Sequence, residues 1–105
     1  MNDEKFQELQ MLEQNLQALL YQKQAFNMEL AETESALKEL KKSGEDAYKI
    51  VGNLMIKTDK RSIQEELEKK QKMLELKLKS LEKQEAPLTN QAEKIREEVM
   101  KNLKK

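Results

Sequence analysis

The chain has 105 residues, one domain's length, of which 38% are charged and only 4% aromatic. Twenty Lys and Arg balance twenty Asp and Glu, so no uniformly basic nucleic-acid surface is indicated. The absence of Cys and His removes disulfides, thiolate chemistry, the commonest metal ligand and the usual general base at neutral pH.

No apolar run approaches the ~20 residues that a membrane-spanning helix needs. The opening Met1-Asn-Asp-Glu-Lys5 is acidic with no apolar run behind it, unlike a secretory signal. These features predict a cytoplasmic protein with neither a membrane nor a nucleic-acid partner.

The first predicted element is a helix over about residues 3–43. Leu9, Leu12, Leu16, Leu19, Lys23, Phe26, Leu30, Thr33, Leu37 and Leu40 alternate three and four apart, and most are large and apolar, the mark of a coiled-coil seam. Asn2 or Asp3 is the expected N-cap, and Lys41-Lys42-Ser43-Gly44 the expected end, with Gly44 in a left-handed cap.

Residues 46–58 read differently. Tyr48, Ile50, Val51, Leu54, Met55 and Ile56 suit a pleated strand, and Gly52-Asn53 suits a two-residue hairpin turn. Such a turn pairs Val51 with Leu54 and Lys49 with Ile56. Ala47, Val51, Leu54 and Ile56 then share one face, and Tyr48, Ile50 and Met55 the other. Both faces are largely apolar, and an isolated two-stranded hairpin is marginal in water. Its free edges invite other chains. The hairpin is therefore expected to build a sheet or barrel shared among chains; the competing reading is a tight cap on its own coiled coil.

A second helix is predicted over about residues 59–103, started by Thr58 or Asp59. Leu67, Gln71, Leu74, Leu78, Leu81, Glu85, Leu88, Ala92, Ile95 and Val99 repeat the alternation. Pro87 lies inside it without breaking the phase, which predicts one helix with a kink. The first arm carries a net −3 over residues 1–43 and the second +4 over residues 60–105, so the two attract. The fold class expected is mainly α: a long antiparallel coiled-coil helical hairpin with one short central β-hairpin, residues 1–105 forming a single domain.

Nothing in the chain supports catalysis. A phosphate-cradling loop needs clustered glycines before Lys and Ser or Thr, and only Gly44 and Gly52 exist. Adjacent carboxylates such as Glu65 and Glu66 do not face one another on a helix. No cofactor and no metal are expected.

The chain resembles the β-type subunit of the prefoldin family. The resemblance rests on Gln22-Lys-Gln24, Met28, Glu32-Thr-Glu-Ser-Ala-Leu-Lys-Glu-Leu40, Asp46-Ala-Tyr-Lys-Ile-Val-Gly-Asn53, Ile56-Lys-Thr-Asp59 and Leu81-Glu-Lys-Gln-Glu85, in order along nearly the whole chain. The centre is too short for the two hairpins of an α-type subunit, and Pro87 departs from that family's uninterrupted second helix. The short ends fit an archaeal member.

What the resemblance implies is a hexamer of two α-type and four β-type subunits, held by a β-barrel of hairpins in which Tyr48, Ile50, Val51, Gly52, Asn53, Leu54, Met55 and Ile56 take part. It further implies an ATP-independent holdase whose coiled-coil tips bind unfolded client proteins and deliver them to a group II chaperonin. An antiparallel hairpin brings both termini to the tip, so Phe6, Leu9, Met11, Leu12, Ile95, Val99, Met100 and Leu103 are the candidate client-binding residues. The alternative is a structural coiled-coil tether that binds one folded partner.

Overall fold

A computed structural model of the chain describes residues 2–44 and 46–104. Its elements in chain order are α1 (Asn2–Lys42), β1 (Asp46–Val51), β2 (Leu54–Asp59) and α2 (Lys60–Lys104). The fold is mainly α, two long helices with one antiparallel β-hairpin between them, as expected. Asn2 and Asp3 are already helical, so the first turn carries Asp3 and Glu4 against the positive helix end rather than a cap at either expected residue.

The chain divides into two compact units, residues 1–25 with 78–105, and residues 26–77. The first is an antiparallel pair of helical segments. Its core is Leu9, Leu12, Ala92, Ile95 and Val99, with Leu16 and Leu88 packed against it. Burying a side chain of this size contributes about 1.5–3 kcal/mol, so the seam outweighs any surface pair on these helices. Among the described residues three ion pairs cross between the helices: Lys5 to Glu98 at 2.6 Å, Arg96 to Glu13 at 3.0 Å and Lys23 to Glu85 at 3.3 Å. Two of the three run from a cation on α1 to a carboxylate on α2, against the net charge of the arms. Local matching, rather than overall sign, orders this surface. Pro87 is exposed and α2 continues through it as one helix.

The second unit holds the hairpin and the helical segments flanking it. Leu74 is its most buried large residue, 1% exposed. Thr33 is buried in the seam, where its hydroxyl donates to the Glu29 carbonyl at 2.8 Å, one turn back, so no polar atom is left unpaired. Lys77 lies 5.3 Å from the centre of the Phe26 ring and covers that seam aromatic with its charge.

The end of α1 differs from expectation. Gly44 is not in the left-handed region; among the described residues only Gly52 is. Ser43 supplies the stop instead. Its N–H donates to the Glu39 carbonyl at 3.0 Å and its hydroxyl to the Leu40 carbonyl at 2.8 Å. Lys60, the first residue of α2, donates to the Ser43 carbonyl at 3.0 Å. A polar side chain thus satisfies the helix end where a glycine geometry was expected.

The start of α2 follows the sequence more closely. Asp59 Oδ1 accepts from the Arg61 N–H at 3.4 Å, the geometry of an N-cap. The first turn holds no acidic residue, and Lys60 there directs its charge back to the end of α1.

Candidate functional site

The hairpin forms because β-branched and large apolar residues flank a turn that only glycine opens without strain. Gly52 has φ +61° and no described non-glycine residue has a positive φ. That is the type II′ pattern, with glycine first, rather than type I′, which would need Asn53 left-handed as well. The register runs Asp46 with Asp59, Ala47 with Thr58, Tyr48 with Lys57, Lys49 with Ile56, Ile50 with Met55 and Val51 with Leu54. Both expected pairs and both expected faces are present.

One face carries Val51, Leu54 and Ile56 around Lys49. The other carries Tyr48, Ile50 and Met55 above Lys57. All six apolar side chains are exposed, Ile50 to 71%, Leu54 to 67% and Met55 to 68%. The sheet has two strands, so each has one edge without a partner strand. Ala47 is the exception. It is buried in a shallow cleft bounded by Ala36, Leu40, Ile63 and Leu67, where β1 leaves the helices. Lys49 reaches Glu66 of α2 at 3.0 Å, and Lys57 reaches Asp46 across the hairpin at 3.3 Å. The base of the hairpin is anchored and its apolar body is bare.

The candidate residues near the chain ends lie together in the other unit, but in two environments. Leu9, Leu12, Ile95 and Val99 form its closed core. Phe6, Met11, Met100 and Leu103 are exposed. The Arg96–Glu13 pair marks one flank of the helix pair. Phe6 precedes Glu13 by one heptad and Leu103 follows Arg96 by one heptad, so both lie on that flank, with Met100 one turn from Arg96. Met11 is five residues from Phe6 and turns to a different side of α1. The seam positions separate buried from exposed candidates as expected; which flank each exposed one occupies follows from its heptad spacing to the ion pair. The ion pairs bordering the patch were not foreseen.

On the opposite side, Lys5 holds the Glu98 carboxyl below its ordinary value through its hydrogen bond first and its charge second, with Lys101 adding a little. Among the described residues no group of three or more Asp or Glu comes together as a metal site, and no helix is long and apolar enough to cross a membrane.

Comparison with known proteins agrees with these features. The family model described as prefoldin subunit matches residues 3–105. A protein named prefoldin subunit beta from Sulfurisphaera tokodaii is 40% identical over 99 residues, covering 92% of this chain and 79% of the relative. A second of that name, from Thermococcus onnurineus, is 37% identical over 92% of this chain and 85% of its own length. The crystal structure of the prefoldin beta subunit from Thermococcus strain KS-1 superposes with a TM-score of 0.89 at 31% identity, over 99% of this chain and 93% of that one.

Proposed function

Because the chain belongs to the prefoldin subunit family of co-chaperones, as a β-type member, we propose that it is the client-holding subunit of an ATP-independent holdase. Its hairpin joins those of other β-type copies and of an α-type partner into a common barrel, two α-type with four β-type chains. Its helical ends hold unfolded proteins and hand them to a group II chaperonin in the cytoplasm. The reading needs no catalytic step, nucleotide or metal.

The observation that carries it is the bare hairpin. Two strands expose six large apolar side chains on two faces, with two unpaired edges, and among the described residues nothing covers them. Pairing with other hairpins satisfies the edges and removes both faces from water. The exposed Phe6, Met100 and Leu103 beside a closed core support the client role. Weak apolar contacts are sufficient there, because several tethered sites acting on one client raise its effective concentration.

The test is light scattering of an aggregating client without ATP, for this chain alone and with an α-type subunit, with assembly mass measured on the same samples. Suppressed aggregation at a mass near six chains supports the holdase. A monomer or dimer without effect on the client sinks it and leaves a coiled-coil tether.

A further inference from the structure

Pro87, the only proline of the chain, stands inside α2. Its missing N–H leaves the Lys83 carbonyl without the donor an α-helix supplies four residues on, and its ring crowds that carbonyl. Lys83, Ala86 and Pro87 are all exposed, so water reaches the gap. A proline also suits the first turn of a helix, where no N–H is used. Opening the turn over residues 83–87 therefore costs less backbone hydrogen bonding than opening any other turn in the body of α2. The helix that continues beyond it already has a residue fit to start it.

Packing is thinnest at the same level. On α2, Leu81 and Ala92 are buried, 6% and 2% exposed, and no described residue between them is. On α1, no described residue from 13 to 25 is buried. The seam contact here is the ion pair of Lys23 with Glu85, whose side chains are 22% and 32% exposed. Such a pair adds less cohesion than an apolar layer of the same size. Beyond it the packing closes again, with Leu9, Leu12, Ala92, Ile95 and Val99 in one core and Leu16 and Leu88 against it. The missing hydrogen bond belongs to the backbone and the thin layer to the side chains. These two independent features fall two residues apart, at Pro87 and Glu85.

We infer that residues 83–87 form a hinge in α2. The turn opens while the helix on either side stays formed, and the closed core beyond it moves as one body. α1 has neither Pro nor Gly within Asn2–Lys42, so it runs unbroken past this level and makes the motion a bend rather than a separation. Phe6, Met100 and Leu103 are carried with the moving core, so the direction they face changes while that core stays closed. The hinge does not depend on the client role proposed above. Where that role holds, the hinge fits the end of the helix pair to clients of different bulk.

Hydrogen exchange on the full chain tests the opening. Amides of residues 84–91 are expected to exchange at least about tenfold faster than those of residues 74–81 and 92–99, because only local opening exposes them. Pro87→Ala, which restores the donor, slows them at least severalfold and the flanking residues less. For the bend, Lys79→Cys and Lys94→Cys are introduced into the chain, which has no Cys of its own, and both positions are exposed. The doubly spin-labelled chain is diluted with unlabelled chain, and the distance between labels is measured by pulsed EPR. The two positions are fifteen residues apart, about 22 Å along an unbroken helix. A broad distribution that narrows in Pro87→Ala is expected. Exchange over residues 84–91 as slow as in the flanks, or unchanged by Pro87→Ala, overturns the hinge. Fast exchange with one narrow distance at the straight-helix value overturns it too, and leaves a turn that opens without bending.

Discussion

Lys23 and Glu85, the charged residues in two otherwise apolar or neutral seams, meet each other at 3.3 Å, both partly buried. The seam around them is repetitive: a slip of one heptad exchanges one Leu for another almost everywhere. At this level it would set each charge against an apolar residue of the partner helix, a desolvated charge without a partner. The pair thus distinguishes the correct alignment from its neighbours, a role well attested for polar seam residues.

Glu85→Ala is therefore expected to destabilise the helix pair by about 1–2 kcal/mol, because it leaves Lys23 partly buried and unpaired. The exchanged pair Lys23→Glu with Glu85→Lys recovers most of that loss. Denaturant unfolding of the four variants checks both statements. A single substitution as stable as the parent would remove the pair from the account.

The two glycines make opposite predictions. Gly52 has φ +61°, where a side chain is strained whatever the space, so Gly52→Ala costs about 1–2 kcal/mol of hairpin stability. Gly44 has open space around a missing side chain and no left-handed backbone, so Gly44→Ala stays within about 0.5 kcal/mol of the parent. Thermal melts of the two variants side by side separate these outcomes.

Ile50→Lys with Ile56→Lys tests the hairpin as the assembly element. Both side chains are exposed in the single chain, so helical content is expected to survive. Assembly mass drops, because the two charges would be buried in a shared barrel. Helical content and full mass both retained would take the hairpin out of the platform.

Client holding is expected to fall severalfold on replacing Phe6, Met100 and Leu103 with Ser, with little change in melting temperature, since all three are exposed. Removing residues 98–105 outright is a poorer test, because it also takes Val99 out of the core. Met11→Ser, on a different side of α1, serves as the comparison and is expected to have the smaller effect.

The Glu98 carboxyl titrates below its ordinary value of 4.5 because of Lys5. A carboxyl depressed on folding contributes its stability above that ordinary value and loses it as pH falls through the depressed one. Lys5→Met is expected to raise the Glu98 value toward 4.5, read by NMR titration. Added salt raises it in the same direction, as the exposed pair is screened.

Most of the fold was legible because its two signals are periodic. A spacing of three and four placed Leu9 through Leu40 and Leu67 through Val99 in the seams, and all are buried or partly buried. Alternation about Gly52-Asn53 gave the strand register residue by residue. Helix ends were less legible because several side chains can satisfy the same orphan carbonyls. Ser43 and Lys60 did so where a glycine geometry was the simpler expectation. The division of the tip candidates was legible too: Leu9, Leu12, Ile95 and Val99 are seam residues and are buried, while Phe6, Met11, Met100 and Leu103 lie off the seam and are exposed.

The sequence separations of the cross-helix contacts carry a kinetic consequence. Lys60 meets Ser43 across 17 residues, Lys23 meets Glu85 across 62, Arg96 meets Glu13 across 83 and Lys5 meets Glu98 across 93. Formed from the outside inward, the first contact would close a loop of almost the whole chain. Formed from the turn outward, each contact closes only a short additional loop, and loop-closure entropy rises slowly with length. The Gly52-Asn53 turn thus makes a chain of long-range contacts fold as a zipper, and an error of one residue in the hairpin register would be carried into every layer that closes after it.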